Sequence, residues 1–217
     1  MKKYILFDLD GTLTDPKEGI TKCVQYALEY FDIHEPDLEK LVKFIGPPLD
    51  VSFSEYYGMS EADASVAVDK YRERFSSIGI FENGLYEGII DMLKVLKKSG
   101  RCLALATSKP DVFAVRIAEK YGIAPYLDVL AGGKIGGSCN KEDVISEALD
   151  MLGVTDIDKQ EVIMVGDRKH DIIGAKKCGI KSVGVRFGYA EEGELEKAGA
   201  DYIVSTVEEL EKLLLSV

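Results

Sequence analysis

The chain of 217 residues contains no C-x-x-C pair, no G-x-G, no G-x-x-x-x-G-K-[ST] and no stretch approaching a membrane span. Each absence removes a class. Without paired spacing, Cys23, Cys102, Cys139 and Cys178 read as reduced thiols, not as disulfides or zinc ligands. Without the glycine fingerprints, Rossmann dinucleotide and P-loop identities fail, and the glycine-rich stretch 132–137 is expected to be a flexible turn or hairpin. His34 and His170 have no second histidine at ligand spacing. Positive charge is also short. Lys and Arg number 27 against 38 Asp and Glu, a formal net charge of −11, which argues against a nucleic-acid backbone as the main partner. Small anionic substrates stay open, because a local field outweighs net charge. The start, Met-Lys-Lys and four apolar residues before Asp8, is too short for a secretory core, so the expectation is a cytoplasmic protein with no membrane partner.

What the chain does have is 46% hydrophobic residues, enough for one domain or one domain with an insertion. Its organising stretch is Tyr4-Ile5-Leu6-Phe7-Asp8-Leu9-Asp10-Gly11-Thr12. An apolar run without alternation suits a central strand of a parallel sheet covered on both faces. Such sheets bind ligands where their strands' carboxyl ends open into loops. Spacing of two puts the Asp8 and Asp10 carboxylates on one side of an extended chain, and Gly11 permits a sharp turn beyond them. Paired hard oxygen ligands suit Mg²⁺. An ordinary Asp-Gly turn is the competing reading. A calcium loop starting at Asp8 is excluded, because Leu13 falls where glycine is needed and Gly19 where the bidentate glutamate is needed.

Beyond Asp15-Pro16 the apolar spacing turns helical over 19–31, 38–45, 49–57 and 61–78, interrupted by Gly46-Pro47-Pro48. Residues 16–82 are therefore expected to form an all-helical insertion, left through Glu82-Asn83-Gly84, and residues 1–15 with 83–217 an α/β core. Helices are expected over 88–98, 111–121, 142–152 and 172–178, alternating with strands at 101–106, 127–131, 162–165, 182–185 and 202–204. A last helix opens with Thr206 and Glu209 as a capping box.

Three further strand ends carry polar residues. Thr107-Ser108 closes one and offers a hydroxyl and backbone N–H groups for phosphate oxygens. Lys141 follows the glycine-rich stretch, with Lys134 as its rival. Gly166-Asp167-Arg168-Lys169-His170-Asp171 closes a third. This order of D-x-D-G-T, Thr107-Ser108, Lys141 and G-D-x-x-x-D resembles the haloacid dehalogenase superfamily along the whole chain. Gly46-Pro47-Pro48-Leu49 and Thr107-Ser108-Lys109-Pro110 resemble its phosphoglycolate-phosphatase-like branch, and the helical insertion resembles that superfamily's small cap.

The resemblance implies a Rossmann-like core and a Mg²⁺-dependent phosphatase of small phosphate monoesters such as phosphoglycolate, nucleoside 5'-monophosphates or sugar phosphates. It implies Asp8 as the nucleophile that becomes an aspartyl-phosphate and Asp10 as general acid and base. Thr107 and Ser108 would hold the phosphoryl group, and Lys141 would neutralise it together with Asp8. The metal set would be Asp8, Asp10 through its carbonyl, Asp167 and Asp171, with Asp171 orienting either Lys141 or a metal-bound water. Gly46, Pro47 and Arg72 are the substrate-reading candidates of the insertion. A monomer or weak homodimer is expected. A sugar-phosphate mutase shares every core motif, and a non-catalytic binding protein on the same fold is the alternative from another class.

Overall fold

The computed structural model describes residues 3–135 and 140–217, so Gly136, Gly137 and Cys139 lie outside the described residues. In chain order the elements are β1 (Tyr4–Phe7), β2 (Thr14–Asp15), α1 (Lys17–Glu29), α2 (Leu49–Tyr57), α3 (Glu61–Phe75), β3 (Gly84–Leu85) and α4 (Ile89–Lys98). There follow β4 (Cys102–Pro110), α5 (Asp111–Lys120), β5 (Val129–Gly133), α6 (Lys141–Met151), β6 (Val162–Gly166) and α7 (Lys169–Lys177). The chain closes with β7 (Lys181–Val185), α8 (Glu194–Ala198), β8 (Tyr202–Val204) and α9 (Val207–Ser216). Two compact units result, one holding the residues up to Thr14 together with Leu85–Val217, the other Asp15–Gly84. The chain passes between them through β2 and β3, which pair with each other.

The first unit is a doubly wound parallel sheet in the order β5-β4-β1-β6-β7-β8. β1 lies at its centre because its residues are apolar on both faces: it pairs in parallel with 102–105 of β4 and with 162–165 of β6. Pleating sends alternate residues to opposite faces. On one face Leu6, Ala104, Ala106 and Met164 pack with Ile145 and Ala148 of α6 and Ala175 of α7. Each larger aliphatic side chain buried there contributes on the order of 2 kcal/mol. Alanines on the strands let α6 come close, and α7 approaches α6 so tightly that a side chain at Gly174 would meet Lys141 Cγ at 2.9 Å.

Of the boundaries that differ from the sequence reading, two bear on the site. The strand expected at 127–131 is β5 and runs through Gly132 and Gly133, which were expected in a turn. Glycine serves close approach here, since a Cβ at Gly132 would stand 2.7 Å from Asp111 Cα. The helix expected from 172 starts at Lys169, so Asp171 is its third residue, and its Oδ2 accepts the Arg168 N–H.

The second unit consists of α1, α2 and α3 with two 3-10 segments, Leu38–Phe44 and Gly79–Phe81. The first of these was expected to be α-helical. Asp37 caps it by accepting the Glu39 N–H, and at seven residues it is long for its type. Close packing of α1 relies on Gly19, where a side chain would strike the Gly79 carbonyl at 2.1 Å. Arg74 closes this unit with two hydrogen bonds to the Glu82 carboxylate, at 2.6 and 3.0 Å.

Candidate active site

The tips of β1, β4 and β6, together with the start of α6, converge on one pocket of charge. Asp8 continues the ladder past β1 by donating its N–H to the Val165 carbonyl at 2.9 Å, which fixes its backbone against β6. The chain then wraps around the Leu9 carbonyl, which accepts N–H bonds from Leu13 and Thr14 at 2.9 Å. Gly11 makes that wrap possible with φ of +81°.

Lys141, the first residue of α6, is the hub. Its Nζ lies 2.8 Å from Asp8 Oδ1, 2.8 Å from Asp171 Oδ1 and 3.2 Å from the Ala106 carbonyl. At 7% exposure it is no solvated surface lysine, and its rival Lys134 pairs instead with Asp111 and Glu147. Burial alone would push the ammonium's pKa down; Asp171 and Asp8 beside it hold it above the ordinary lysine range.

Asp8, Asp167 and Asp171 bring carboxylate oxygens within 4.8 Å of one another. Asp167 is fully buried, with Oδ2 accepting the Tyr189 N–H at 2.8 Å and Oδ1 without a hydrogen-bond donor. Burial, then Asp171 and Asp8, push its carboxyl well above the usual range. Burial likewise raises Asp171, to about 6, against the pull of Lys141. Asp10 is raised by burial against the opposing field of Lys109, whose ammonium pairs with Asp10 Oδ2. Thr107, buried within β4, accepts the Lys109 N–H at 3.3 Å, and Ser108 is half-buried beside it.

The donor set fits a divalent cation. Asp8, Asp167 and Asp171 gather their carboxyls around the single ammonium of Lys141, while Asp10 is paired with Lys109. Asp167 Oδ1 is a buried oxygen with no donor of its own, as a metal ligand would be.

The sequence reading assigned no role to Lys109 or to the Gly188-Tyr189 backbone. Lys109 stood in the Thr107-Ser108-Lys109-Pro110 run, but strand alternation does not aim it at Asp10, because the pairing of β4 with β5 shifts between Thr107 and Pro110. The Tyr189 N–H had no signal, because it depends on the fold bringing the loop after β7 against Asp167. Gly46 is exposed, Pro47 is half-buried and Arg72 pairs with Asp69 at 3.9 Å, all within the helical unit.

Residues 5–185 match the family model of haloacid dehalogenase-like hydrolases. The chain belongs to that family. A 5'-nucleotidase from Pseudomonas aeruginosa is 45% identical over 192 residues, covering 88% of this hydrolase and 86% of the relative. The crystal structure of a predicted phosphatase from Clostridium acetobutylicum superposes with a TM-score of 0.94 at 48% identity, covering 100% of both chains. The tyrosine-protein kinase PtkA of Mycobacterium tuberculosis is 35% identical over 215 residues, 98% of this hydrolase and 72% of PtkA. Within the family this enzyme stands with the phosphatases.

Proposed function

We propose that the protein is a Mg²⁺-dependent phosphatase of small phosphate monoesters, with nucleoside 5'-monophosphates as the leading substrate class and an aspartyl-phosphate on Asp8 as intermediate. One observation carries the reading: a buried lysine held between Asp8 and Asp171, beside a buried carboxylate oxygen of Asp167 that no hydrogen-bond donor occupies. The 5'-nucleotidase relative, at 45% identity, supports the choice among monoesters.

Asp8 attacks phosphorus as the ester P–O bond breaks, and Asp10 delivers a proton to the departing alcohol oxygen. Burial favours the protonated Asp10 that this step requires. In the second half Asp10 takes a proton from the water that attacks the acyl phosphate, restoring both carboxyls. Lys141 offsets charge on Asp8 and the phosphoryl oxygens, and Asp171 fixes Lys141 in place. Thr107 and Ser108 donate to the phosphoryl oxygens. Asp8, Asp167 and the Asp10 carbonyl would hold Mg²⁺, which when bound would supply charge neutralisation to the phosphoryl oxygens. The carboxylate of Asp10 is engaged by Lys109, and both oxygens of Asp171 are taken, one by Lys141 and one by the Arg168 N–H, so these two carboxylates act on proton and lysine rather than as principal metal ligands.

Phosphate release from a panel of nucleoside monophosphates, sugar phosphates and phosphoglycolate tests the substrate class, with and without a chelator. Asp8→Asn tests the covalent step, because an amide keeps the shape but is a poor nucleophile. The variant is expected to fold and to lose at least about a thousandfold in kcat. Retention of activity within about tenfold would remove the covalent role.

A further inference from the structure

We propose that Lys109 is a positioning residue for the proton transfer at Asp10: it holds one carboxylate oxygen so that the other faces the leaving group. The inference rests on the phosphatase reading and extends it to a side chain with no role in that reading so far.

Four observations converge. Lys109 is nearly as buried as Lys141, its side chain 7% exposed, and its ammonium pairs with Asp10 Oδ2. A buried lysine is retained only with a partner, because desolvating an ammonium costs several kcal/mol. The other oxygen, Asp10 Oδ1, is buried with no hydrogen-bond donor, so the carboxyl is anchored at one end and open at the other. That is the geometry of a group which must give up a proton from Oδ1 and take one back there.

The backbone is built for this contact. β4 pairs Thr107 with Gly132 of β5, but its next pairing is Pro110 with Gly133, so Ser108 and Lys109 are accommodated as a bulge. Bulges re-aim side chains at sheet ends. Here the bulge leaves the Lys109 N–H on Thr107 Oγ1 while the side chain reaches across to the tip of β1. An uninterrupted strand would set the residue in the regular alternation of the sheet, without this turn towards Asp10.

The chemistry separates this role from a general electrostatic one. An alcohol leaves poorly as an alkoxide, so a nucleoside monophosphate depends on the proton from Asp10. p-Nitrophenolate leaves readily without one. A lysine that acts through Asp10 therefore matters for the first ester and hardly for the second, whereas a lysine acting on the phosphoryl group or on folding matters equally for both. The first irreversible step, measured by kcat/KM, contains leaving-group departure and excludes the later hydrolysis of the acyl phosphate.

The experiment compares parent, Lys109→Met and Lys109→Arg on adenosine 5'-monophosphate and p-nitrophenyl phosphate with Mg²⁺ present. For Lys109→Met, kcat/KM is expected to fall about a hundredfold on the nucleotide and to stay within about threefold of the parent on p-nitrophenyl phosphate. Lys109→Arg should recover part of the nucleotide activity. Should Lys109→Met not fold, Lys109→Gln takes its place, with the same difference between the two esters expected. Equal losses on both esters, or no loss on either, would overturn the inference. Failure of the parent to hydrolyse any ester would instead overturn the phosphatase reading on which it stands.

Discussion

Gly11 lies directly against Asp167: a side chain at position 11 would set its first carbon 2.1 Å from Asp167 Oδ2. The glycine of the D-x-D-G-T run thus does two things. It adopts φ of +81°, and it leaves room for a carboxylate from a different strand. Gly188, in the loop after β7, leaves room in the same way: a Cβ there would stand 2.4 Å from Asp167 Cβ. Asp167 is packed against two glycine backbones, with the Tyr189 N–H fixing one of its oxygens.

Gly11→Ala is therefore expected to damage function beyond its backbone cost. The left-handed conformation alone costs alanine roughly 1–2 kcal/mol. The clash must in addition displace Asp167, raising the Mg²⁺ concentration needed for half-maximal activity. Metal titration of activity alongside a melting curve separates the two effects. A variant with lowered stability but the parent's metal requirement would show that Asp167 tolerates the displacement.

Lys141→Met keeps the aliphatic stem and removes the charge. Asp8 and Asp171 would then share a buried site with Asp167 and lose the ammonium that each now faces at 2.8 Å. Breaking a buried pair by removing one partner costs about 3–5 kcal/mol. The expected result is loss of phosphatase activity by at least about a hundredfold, and a melting temperature that recovers as pH falls and the carboxylates protonate. Unchanged melting near neutral pH would mean that the three carboxylates do not depend on Lys141.

Much of this site was legible in the sequence because strand tips in a parallel sheet are local events. Tyr4-Ile5-Leu6-Phe7 and Val162-Ile163-Met164-Val165 are short apolar runs, and the acids that follow them fall where the strands end. Lys109 was not legible, because the bulge that turns it depends on how β5 pairs beyond Thr107. The 3-10 segment Leu38–Phe44 was read as α-helix because apolar residues at 38, 41, 42 and 45 fit both periods over so short a length. Glycines at 132 and 133 look like a turn in sequence, and for Gly132 it is the nearness of the Asp111 backbone that explains a glycine in the strand.

The pH dependence of the metal-free protein follows from the raised carboxyls. Asp171 moves from 3.8 to about 6 on folding, and Asp10 and Asp167 move in the same direction. A carboxyl with its folded pKa above its unfolded value keeps its proton longer in the native state. Over the window between the two values the native state binds more protons, so stability falls as pH rises and the loss is complete above about 6. Surface carboxylates held low by partners, such as Asp111 and Glu82, act oppositely, but their contribution is lost only as pH falls below the ordinary carboxylate range. Melting in the presence of a chelator should therefore drop as pH rises from about 4 to about 6, and Mg²⁺ should stabilise more at neutral pH than at about pH 4. Equal stabilisation by Mg²⁺ at both would contradict the raised carboxyls.

The last prediction concerns the helical unit, Asp15–Gly84, proposed as the substrate-reading insertion. Asp8, Asp10, Thr107, Lys109, Lys141, Asp167 and Asp171 all belong to the α/β unit, so substitutions among the helices should leave phosphoryl chemistry intact. Arg72 is the sharper test. Its side chain is 38% exposed, and its pair with Asp69 spans 3.9 Å, so its contribution to stability is at most about 1 kcal/mol. A guanidinium kept at so little structural benefit is a candidate for binding an anion or a base. Arg72→Ala and Pro47→Gly are expected to raise KM for the best nucleoside monophosphate severalfold while leaving kcat on p-nitrophenyl phosphate near the parent value. Binding of a phosphate analogue should not change, because the partners proposed for it, Thr107, Ser108 and Lys141, belong to the α/β unit. Lowered kcat on both esters would assign these residues to the chemistry itself, and unchanged KM on every ester would move substrate reading away from Pro47 and Arg72.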